Sequence, residues 1–386
     1  MDFSLNEDQQ AFVDSARAFS EGALAPNAAK WDAEHIFPKE VLKQAGELGF
    51  MALYAPEGIG GLDLPRLDAS LIFEELSQGC TATTAFMTIH NMATNIVGRY
   101  GKEAFKEQWC PELVTGEKLV SYCLTEPGSG SDAASLRTSA VVDGDDYVIN
   151  GSKVFISGAG DTDLLVVMTR TGQDGPKGIS AIAVPADSEG IHYGKAEEKM
   201  GWNAQPTRMI TFENVRVPKA NLLGDEGKGF NIAMEALDGG RINIATCSIG
   251  TAQAALNHAV EYCKDRKQFG KPISDFQVTQ FKLADMATEL VAARQMVRLA
   301  AYKLDQKDTE AGIYCSMAKR LATDLGFNIC NEALQLHGGY GYIREYPMER
   351  YVRDVRVHQI LEGTNEIMRV IIGRRLLADG ALELIR

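Results

Sequence analysis

The heptapeptide ILEGTNE at positions 360–366 places a carboxylate in a glycine-containing loop just before a predicted helix. Thr364 is in position to cap this helix, which is predicted over about 365–377 and carries several apolar residues that would pack against a core. A carboxylate in partly apolar surroundings has a raised pKa, and a raised pKa suits a general base near neutral pH. Glu362 is therefore a candidate base, although a solvated loop glutamate is the commoner situation in a chain with 52 acidic residues.

Four further motifs accompany Glu362 along the chain. They are YCLTEPGSGSD at 122–132, FIS at 155–157, RKQFG at 266–270 and QLHGGYG at 335–341. The segment GSGSDA at 128–133, which begins within the first motif, satisfies the dinucleotide fingerprint G-x-G-x-x-A, but that fingerprint needs a following helix and the pattern here is that of a β-strand. We interpret it as an irregular loop whose glycines let backbone N–H groups approach a cofactor, the alternative being a turn that merely joins two strands.

In this order and at these separations, the motifs resemble the acyl-CoA dehydrogenase family over essentially the whole chain. Within the family, DGGR at 238–241, Ser131 and the Leu361-Glu362 pair most resemble the isobutyryl-CoA dehydrogenases. The resemblance implies FAD-dependent α,β-dehydrogenation of isobutyryl-CoA to methacrylyl-CoA, a step of valine breakdown. Glu362 would take the α-proton while hydride passes to flavin N5, and electron-transfer flavoprotein would receive the electrons. The protein would be a homotetramer, built as a dimer of dimers.

The resemblance also assigns FAD contacts in two groups. In the first, Thr125 would bond the flavin ring and Phe155 would lie against it, where many members of the family have Trp. In the second, Arg266 and Phe269 would reach the FAD of a neighbouring subunit, which requires an oligomer. The implied cofactor-binding residues are Tyr122, Cys123, Leu124, Thr125, Gly130, Ser131, Phe155, Ile156, Ser157, Arg266, Gln268, Phe269, Phe276, Gln277, Gln335, Leu336, His337, Gly338, Gly339, Thr364, Asn365 and Glu366.

Substrate contacts follow from the same resemblance. Asp238 would contact the CoA portion and Arg241 would lie close to the base, although a salt-bridged helix kink is an equally ordinary interpretation of DGGR. Leu361 stands where many straight-chain members have Tyr, and its smaller side chain leaves room for a methyl branch at the α-carbon. The implied substrate-binding residues are Ser131, Asp238, Gly239, Gly240, Arg241, Leu361 and Arg374.

Three alternatives stay open at this point. The substrate could be another short acyl-CoA, straight or 2-methyl-branched, or the protein could be a flavin-dependent acyl-CoA oxidase that hands electrons to O₂. A non-enzymatic CoA- or flavin-binding scaffold is the third, and Glu362 argues against it because binding alone needs no base. Peroxide formation under air separates an oxidase from a dehydrogenase.

The elements that must position these residues are predicted to form an α+β multi-domain protein. An all-helical domain at 1–117 precedes an antiparallel, barrel-like β-domain at 118–224 and a helical bundle at 225–386. A capping box is expected at Ser4–Glu7, and hairpin turns at Asp143-Gly144 and Asn150-Gly151. Gly239-Gly240 is expected to interrupt a long helix at 229–265, and His90 to be a partly buried helix histidine rather than a catalytic one.

Composition limits the function classes. The 386 residues exceed what one core usually serves, and the net charge of −13 argues against a general nucleic-acid binder or attraction to anionic membranes. Seven cysteines without a CxxC pair indicate buried thiols in a reducing compartment, and no metal is expected. No targeting segment or membrane span is evident in the sequence. We expect a cytoplasmic bacterial protein, or the mature form of one imported into the mitochondrial matrix.

Overall fold

The computed structural model describes residues 4–380, and its first part is helical as predicted. The capping box lies two residues later than expected. Asn6 Oδ1 accepts from the Gln9 N–H at 2.8 Å and Gln9 Oε1 accepts from the Asn6 N–H at 3.1 Å, because asparagine caps as well as serine does. The first helices are α1 Glu7–Phe19, α2 Ala25–Glu34, α3 Lys39–Glu47, α4 Arg66–Gly79, α5 Thr81–Tyr100 and α6 Glu103–Val114, with a π-helical segment, Ser20–Leu24, between the first two.

A β-domain follows, and its position between two helical regions confirms the prediction. Its strands are β1 Val120–Cys123, β2 Ser139–Asp143, β3 Asp146–Ser157, β4 Leu164–Arg170, β5 Ile179–Pro185, β6 Ile191–Tyr193, β7 Thr207–Pro218 and β8 Leu222–Leu223. Within the described residues they form one sheet in the order β6-β7-β3-β2-β4-β5-β8, with β1 also beside β4. The pairings of β4 with β1 and β2 are parallel, and the other pairings are antiparallel. The two edge strands of this order are β6 and β8.

One of the two predicted hairpin turns is correct. Asp143-Gly144 joins β2 to β3, with Gly144 at φ +64°. Asn150-Gly151 was wrong, because both residues lie inside the continuous strand β3, where the pairing with β7 shifts register. Asn-Gly is a turn signal in isolation, but here it forms an irregularity in a long strand.

The C-terminal part is a helical bundle. Helix α7 runs unbroken from Gly229 to Asp265, so the predicted interruption at Gly239-Gly240 was wrong. The elements after it are the two-stranded hairpin β9 Lys267–Gln268 and β10 Lys271–Pro272, then α8 Gln277–Asp305, α9 Ala311–His337, α10 Met348–Arg356 and α11 Asn365–Asp379. Helices α7, α8 and α9 pack together around small and apolar residues, among them Ala252, Ala293 and Ala318.

The three parts share contacts that fix their relative positions. Helices α4 and α5 pack against α7, and Glu74 of α4 pairs with Arg294 of α8, with 2.6 Å between Oε1 and Nε. The Trp202 backbone N–H, after β6, donates to Asp354 of α10 at 2.6 Å. The predicted domain boundaries at 117/118 and 224/225 stay predictions; they fall between α6 and β1 and between β8 and α7.

The prediction that the cysteines are buried thiols is confirmed, whereas His90 lies on a helix as predicted but is fully rather than partly buried. All seven cysteines are free and buried. His90 is fully buried, with Nε2 2.8 Å from the Leu113 carbonyl and Nδ1 accepting from the Val120 N–H, and burial lowers its pKa to about 4. It is a neutral structural histidine.

No helix within residues 4–380 has both the length and the apolar character needed to cross a membrane. In the same range, no cluster of three or more His, Cys, Asp or Glu side chains could hold a metal ion.

Candidate active site

Glu362 lies in a short loop between a 3-10 turn, Val357–Gln359, and helix α11. Its φ of +55° is left-handed and is followed by Gly363 at φ +87°. A non-glycine residue in this region is uncommon, and such strain persists where the surroundings hold it. The Thr364 side chain accepts from the Ile367 N–H at 3.3 Å, which confirms the predicted helix cap.

The Glu362 carboxylate is enclosed although the residue as a whole is only half-buried. Its Oε2 atom is buried and has no hydrogen-bond partner within the described residues. Burial raises the pKa of Glu362 to about 7, while the charges of Arg241 and Lys319 oppose the shift. The raised pKa predicted from sequence is confirmed, and at neutral pH a substantial fraction of this carboxylate can accept a proton.

Helix α7 passes directly behind the carboxylate. A Cβ built on Gly240 would lie 2.4 Å from Glu362 Oε2, and one on Gly239 would lie 2.4 Å from Arg66 Nη2. Gly240 therefore lets the α7 backbone approach the Glu362 carboxylate, and Gly239 lets it approach the Arg66 guanidinium. Neither glycine interrupts the helix.

The charged pair of the DGGR motif forms as expected. Arg241 Nη1 donates to Asp238 Oδ1 at 2.6 Å, and Arg241 is buried. Its Nε is buried without a partner. Burial raises the pKa of Asp238, and Arg241 opposes this.

Lys319, on α9, holds the loop from the other side. Its ammonium donates to the Gly363 carbonyl at 2.7 Å and to Asn365 Oδ1 at 2.8 Å. Asn365 Nδ2 in turn donates to Thr323 Oγ1 and Asp324 Oδ1, at 2.9 and 2.7 Å. Sequence reasoning missed Lys319. The signal was its position among Cys315, Ala318 and Ala322, which places a lysine on an apolar helix face.

A second set of residues missed from the sequence lies beside Arg66. The Arg66 guanidinium stacks on the Tyr54 ring at 3.6 Å, and its Nη2 donates to Asn243 Oδ1 at 3.2 Å. Asn243 Nδ2 donates to the Tyr54 hydroxyl at 3.1 Å. This cluster adds a third cation, the half-buried Arg66, near Gly239.

Residues 122–125 continue the site from the end of β1. The Tyr122 hydroxyl is buried and has no hydrogen-bond partner in the part of the chain that the structure describes, and burial, together with the charge of Glu362, raises the pKa of Tyr122. The Lys153 ammonium donates to the Leu124 carbonyl at 3.0 Å and to Glu126 Oε1 at 2.8 Å. The Val154 N–H donates to the Thr125 carbonyl at 2.9 Å, which joins the FIS segment to the YCLT segment.

The backbone of Phe155 adopts a left-handed conformation of the kind that is common at functional sites. Its φ is +58°, at a register shift of β3, and its side chain is 67% exposed. Ser157 Oγ accepts from Gln205 Nε2 at 3.3 Å. An exposed aromatic ring held in a strained conformation next to Thr125 suits a planar ligand. Gly130 and Ser131 are exposed in the loop between β1 and β2.

Seven of the other predicted cofactor residues, Arg266, Gln268 and Gln335–Gly339, line a separate cleft. A cleft of about 550 Å³ is lined by Arg266, Gln268 and the segment Gln335–Tyr340, and by none of the 122–157 residues. The cation of Arg266 lies 5.5 Å from the Tyr340 ring. Gly338, at φ +58°, ends α9 as predicted, and a Cβ on Gly338 or Gly339 would meet nothing within 4 Å.

Other predicted residues project into solvent, among them Phe269, Glu366 and Arg374. Phe269 is 93% exposed with φ +54° at the β9–β10 turn, and its ring lies 6.2 Å from that of Phe276. Glu366 is exposed in the first turn of α11. Arg374 is exposed on the same helix, and within residues 4–380 it makes no hydrogen bond or ion pair with the other predicted site residues. Its role as a CoA contact stays a prediction.

Comparison with known proteins gives the same picture along the whole chain. Three family descriptions match in order: "Acyl-CoA dehydrogenase, N-terminal domain" over residues 6–117, "middle domain" over 121–215 and "C-terminal domain" over 227–377. Mitochondrial isobutyryl-CoA dehydrogenase of Bos taurus is 54% identical over 375 residues, covering 97% of this chain and 90% of that protein. The enzyme of the same name from Dictyostelium discoideum is 54% identical over 376 residues, with the same coverage.

More distant relatives are similar over the same length. The short-chain specific acyl-CoA dehydrogenase of Rattus norvegicus is 41% identical over 97% of this chain and 91% of that protein. Butyryl-CoA dehydrogenase from Megasphaera elsdenii has a structure with a TM-score of 0.94 at 41% identity, covering 98% of this chain and 100% of that chain. A chain from work on the electron transferring flavoprotein of Acidaminococcus fermentans has a TM-score of 0.95 at 41% identity, with the same coverage.

Proposed function

The chain belongs to the acyl-CoA dehydrogenase family, and on that premise we propose that it oxidises isobutyryl-CoA to methacrylyl-CoA, as in valine breakdown. The observation that carries the proposal is the buried Glu362 carboxylate, whose pKa is near 7 and whose Oε2 atom has no hydrogen-bond partner among residues 4–380, next to Leu361. The 54% identity to two isobutyryl-CoA dehydrogenases supports the choice of substrate.

The enzyme is an FAD-dependent oxidoreductase of the CH–CH bond, as its family is. When bound, FAD supplies the acceptor for the hydride that leaves the β-carbon. Thr125, Phe155 and Ser157 would hold the flavin end, and Arg266 with the glycines after α9 would hold the phosphate end. The residues fit such a group, because Phe155 is an exposed ring and the backbone at Gly338 and Gly339 has open space beside it.

Glu362 takes the α-proton in this proposal. The α-hydrogen of a thioester is only weakly acidic, so the site must also stabilise the charge that develops on the thioester oxygen. The Glu362 backbone N–H is a suitable donor, since among the contacts of residues 4–380 it has no partner. Arg241 lowers the pKa of Glu362 and so keeps part of the base ionised at neutral pH.

Leu361 is the proposed determinant of branched-chain specificity. It is half-buried and packs against the N-terminal core cluster that includes Phe73 and Phe86. A leucine beside the base occupies less width than an aromatic ring and leaves space for the second methyl group of isobutyryl-CoA. Straight short-chain substrates are the second candidate, supported by the 41% identity to a short-chain specific enzyme.

We also propose a homotetramer and electron-transfer flavoprotein as the electron acceptor. Apolar side chains stay exposed along α8, as expected for a helix that other subunits cover. They are Val278, Phe281, Val291, Leu299 and Tyr302. Similarity to a chain from work on an electron transferring flavoprotein supports the acceptor.

Anaerobic bleaching of the bound flavin by a panel of short acyl-CoAs tests the substrate. Isobutyryl-CoA should reduce the flavin fastest, ahead of butyryl-CoA and 2-methylbutyryl-CoA. Faster reduction by butyryl-CoA would assign the enzyme to straight chains. Hydrogen peroxide formed in air at the rate of turnover would make it an oxidase.

Glu362→Gln tests the base. The variant keeps the backbone N–H and the shape of the side chain but cannot accept the proton. We expect it to bind FAD and acyl-CoA and to reduce flavin at least ~10²-fold more slowly. The substrate-induced shift of the flavin spectrum should remain, and near-normal reduction would place the base elsewhere.

A further inference from the structure

Lys319 is a fully buried lysine that the proposed chemistry does not use. It lies in the middle of α9, with no exposed surface. Burying an ammonium is unfavourable unless hydrogen bonds and opposite charge compensate for the lost hydration. Its surroundings therefore show what this residue does.

Both described hydrogen bonds of Lys319 go to the segment that carries the base. The Gly363 carbonyl, one residue after Glu362, and the Asn365 side chain, at the start of α11, accept from it at 2.7 and 2.8 Å. In the sequence, these two acceptors lie on either side of Thr364, the residue that caps α11. The ammonium thus fastens the two left-handed residues, Glu362 and Gly363, to a rigid helix of the bundle.

The electrostatic setting of Glu362 is made by a small set of groups. Arg241 and Lys319 are the cations that lower its pKa. Burial lowers the pKa of Lys319 to about 8, against the charges of Glu362 and Asp324, so the lysine is mostly charged at neutral pH. The other charged or titratable groups facing the two are Asp238 from α7, Tyr122 from β1, Tyr54 before α4, Glu366 from α11 and the neutral His358 beside Ser248.

We propose that Lys319 is the positioning residue of the catalytic loop: its ammonium holds the 363–365 segment and places a buried positive charge beside the residue that carries the Glu362 carboxylate. The inference rests on the proposed role of Glu362 as base. Neither the sequence pattern of α9 nor the packing of the bundle explains a buried charge at this position. The strained loop and its buried carboxylate do explain it, because they need a hydrogen-bond donor and a positive charge nearby.

The test follows the titration of Glu362 without requiring turnover. Infrared difference spectroscopy across pH records the protonated carboxyl band, which is assigned to Glu362 by its absence in Glu362→Gln. In Lys319→Met the midpoint should rise by about one pH unit or more, because a cation in a low-dielectric site has been removed. Arg320→Met is the matched control: it removes the next cation of α9, which pairs with Asp324 at 3.8 Å, and should leave the midpoint unchanged.

Lys319→Gln decides the outcome if the methionine variant fails to fold, since it removes the charge but keeps a polar side chain with an N–H donor, one bond shorter than lysine. The positioning role has its own readout in Asn365→Ala, which keeps the charge and loses one of the two bonds. We expect a lower limiting rate of flavin reduction by isobutyryl-CoA with the same Glu362 midpoint. Equal midpoints in Lys319→Gln, Arg320→Met and the unaltered enzyme would overturn the proposal. If the unaltered enzyme shows no reduction by acyl-CoA, the proposed function fails while the infrared titration stays readable.

Discussion

At Glu362, burial and charge act in opposite directions on one carboxyl group. Burial raises the pKa of Glu362, and the cations on α7 and α9 reduce the increase, leaving it at about 7. Without the cations the group would be protonated at neutral pH and could not accept a proton. With full hydration it would be a weaker base, with a pKa near 4.5. The site therefore holds the base at a pKa suited to its proposed task.

The same shift predicts a pH-dependent gain in stability for Glu362→Gln. The pKa of Glu362 is about 7 in the folded protein and about 4.5 in the unfolded chain, so between these values the folded state binds more protons. Stability of the unaltered protein therefore falls as pH rises from about 4.5 to 7, and the glutamine variant lacks this loss. Thermal unfolding should show a higher Tm for Glu362→Gln at pH 8 and no difference at pH 4.

The control is Glu107→Gln, at an exposed position of α6. It should leave the dependence of Tm on pH as it is in the unaltered protein. A Tm difference for Glu362→Gln that is the same at pH 4 and pH 8 would contradict the raised pKa.

At the scale of elements, the local sequence pattern predicted where helices form but not which contacts they make with distant parts of the chain. The helical pattern at 229–265 has the bounds that α7 shows, yet Gly239-Gly240 was interpreted as an interruption. The reason for Gly240 is the carboxylate of Glu362, far away in sequence, which packs where a Cβ would be. Helical periodicity reports only on neighbouring turns, so it cannot reveal such a contact.

The β-domain and α9 show the same limit. The sequence predicted a β-domain at 118–224, but the register shift of β3 near Phe155 depends on β7 and on the loop after β1. Lys319 was missed because its acceptors lie in another element. The motif resemblance identified most predicted site residues, while their supports, such as Lys153 and Lys319, became visible only from the contacts.

Gly240→Ala is the prediction for α7. The added Cβ would lie 2.4 Å from Glu362 Oε2, so the carboxylate must move or the helix must shift. We expect flavin reduction by isobutyryl-CoA to slow by ~10-fold or more, since displacement of a positioned base is costly to rate. Rapid-mixing kinetics under anaerobic conditions measure this effect.

Gly373→Ala is the matched helical control. It lies on α11, where a Cβ would meet nothing within 4 Å. The change should leave the reduction rate unaltered and stabilise the protein by up to ~1 kcal/mol, the difference in helix propensity between alanine and glycine. Equal kinetics in the two alanine variants would show that α7 does not need its glycine for the base.

At the scale of the whole molecule, the predicted cofactor residues form two groups on one chain. The 122–157 group lies with Tyr122 near Glu362, whereas Arg266 and Gln335–Tyr340 line a different cleft. Phe269 projects almost fully exposed from the β9–β10 turn, and apolar residues stay uncovered along α8. An exposed aromatic residue and exposed apolar residues along a helix are what a shared interface would cover. The arrangement supports a site completed by a neighbouring subunit.

Mixing two inactive variants tests this shared site. Glu362→Gln removes the proposed base and the double variant Arg266→Ala, Phe269→Ala removes the proposed contacts with the neighbour's FAD. In a mixed dimer one site carries both defects and the other carries neither, because base and contacts come from different chains. After subunit exchange at equal concentrations, about a quarter of the sites should be native, since half of the dimers are mixed. Flavin reduction by isobutyryl-CoA in the mixture, above the sum of the separate variants, measures the recovery. If all the residues served an FAD within their own chain, every site would keep one defect, and mixing would restore no activity.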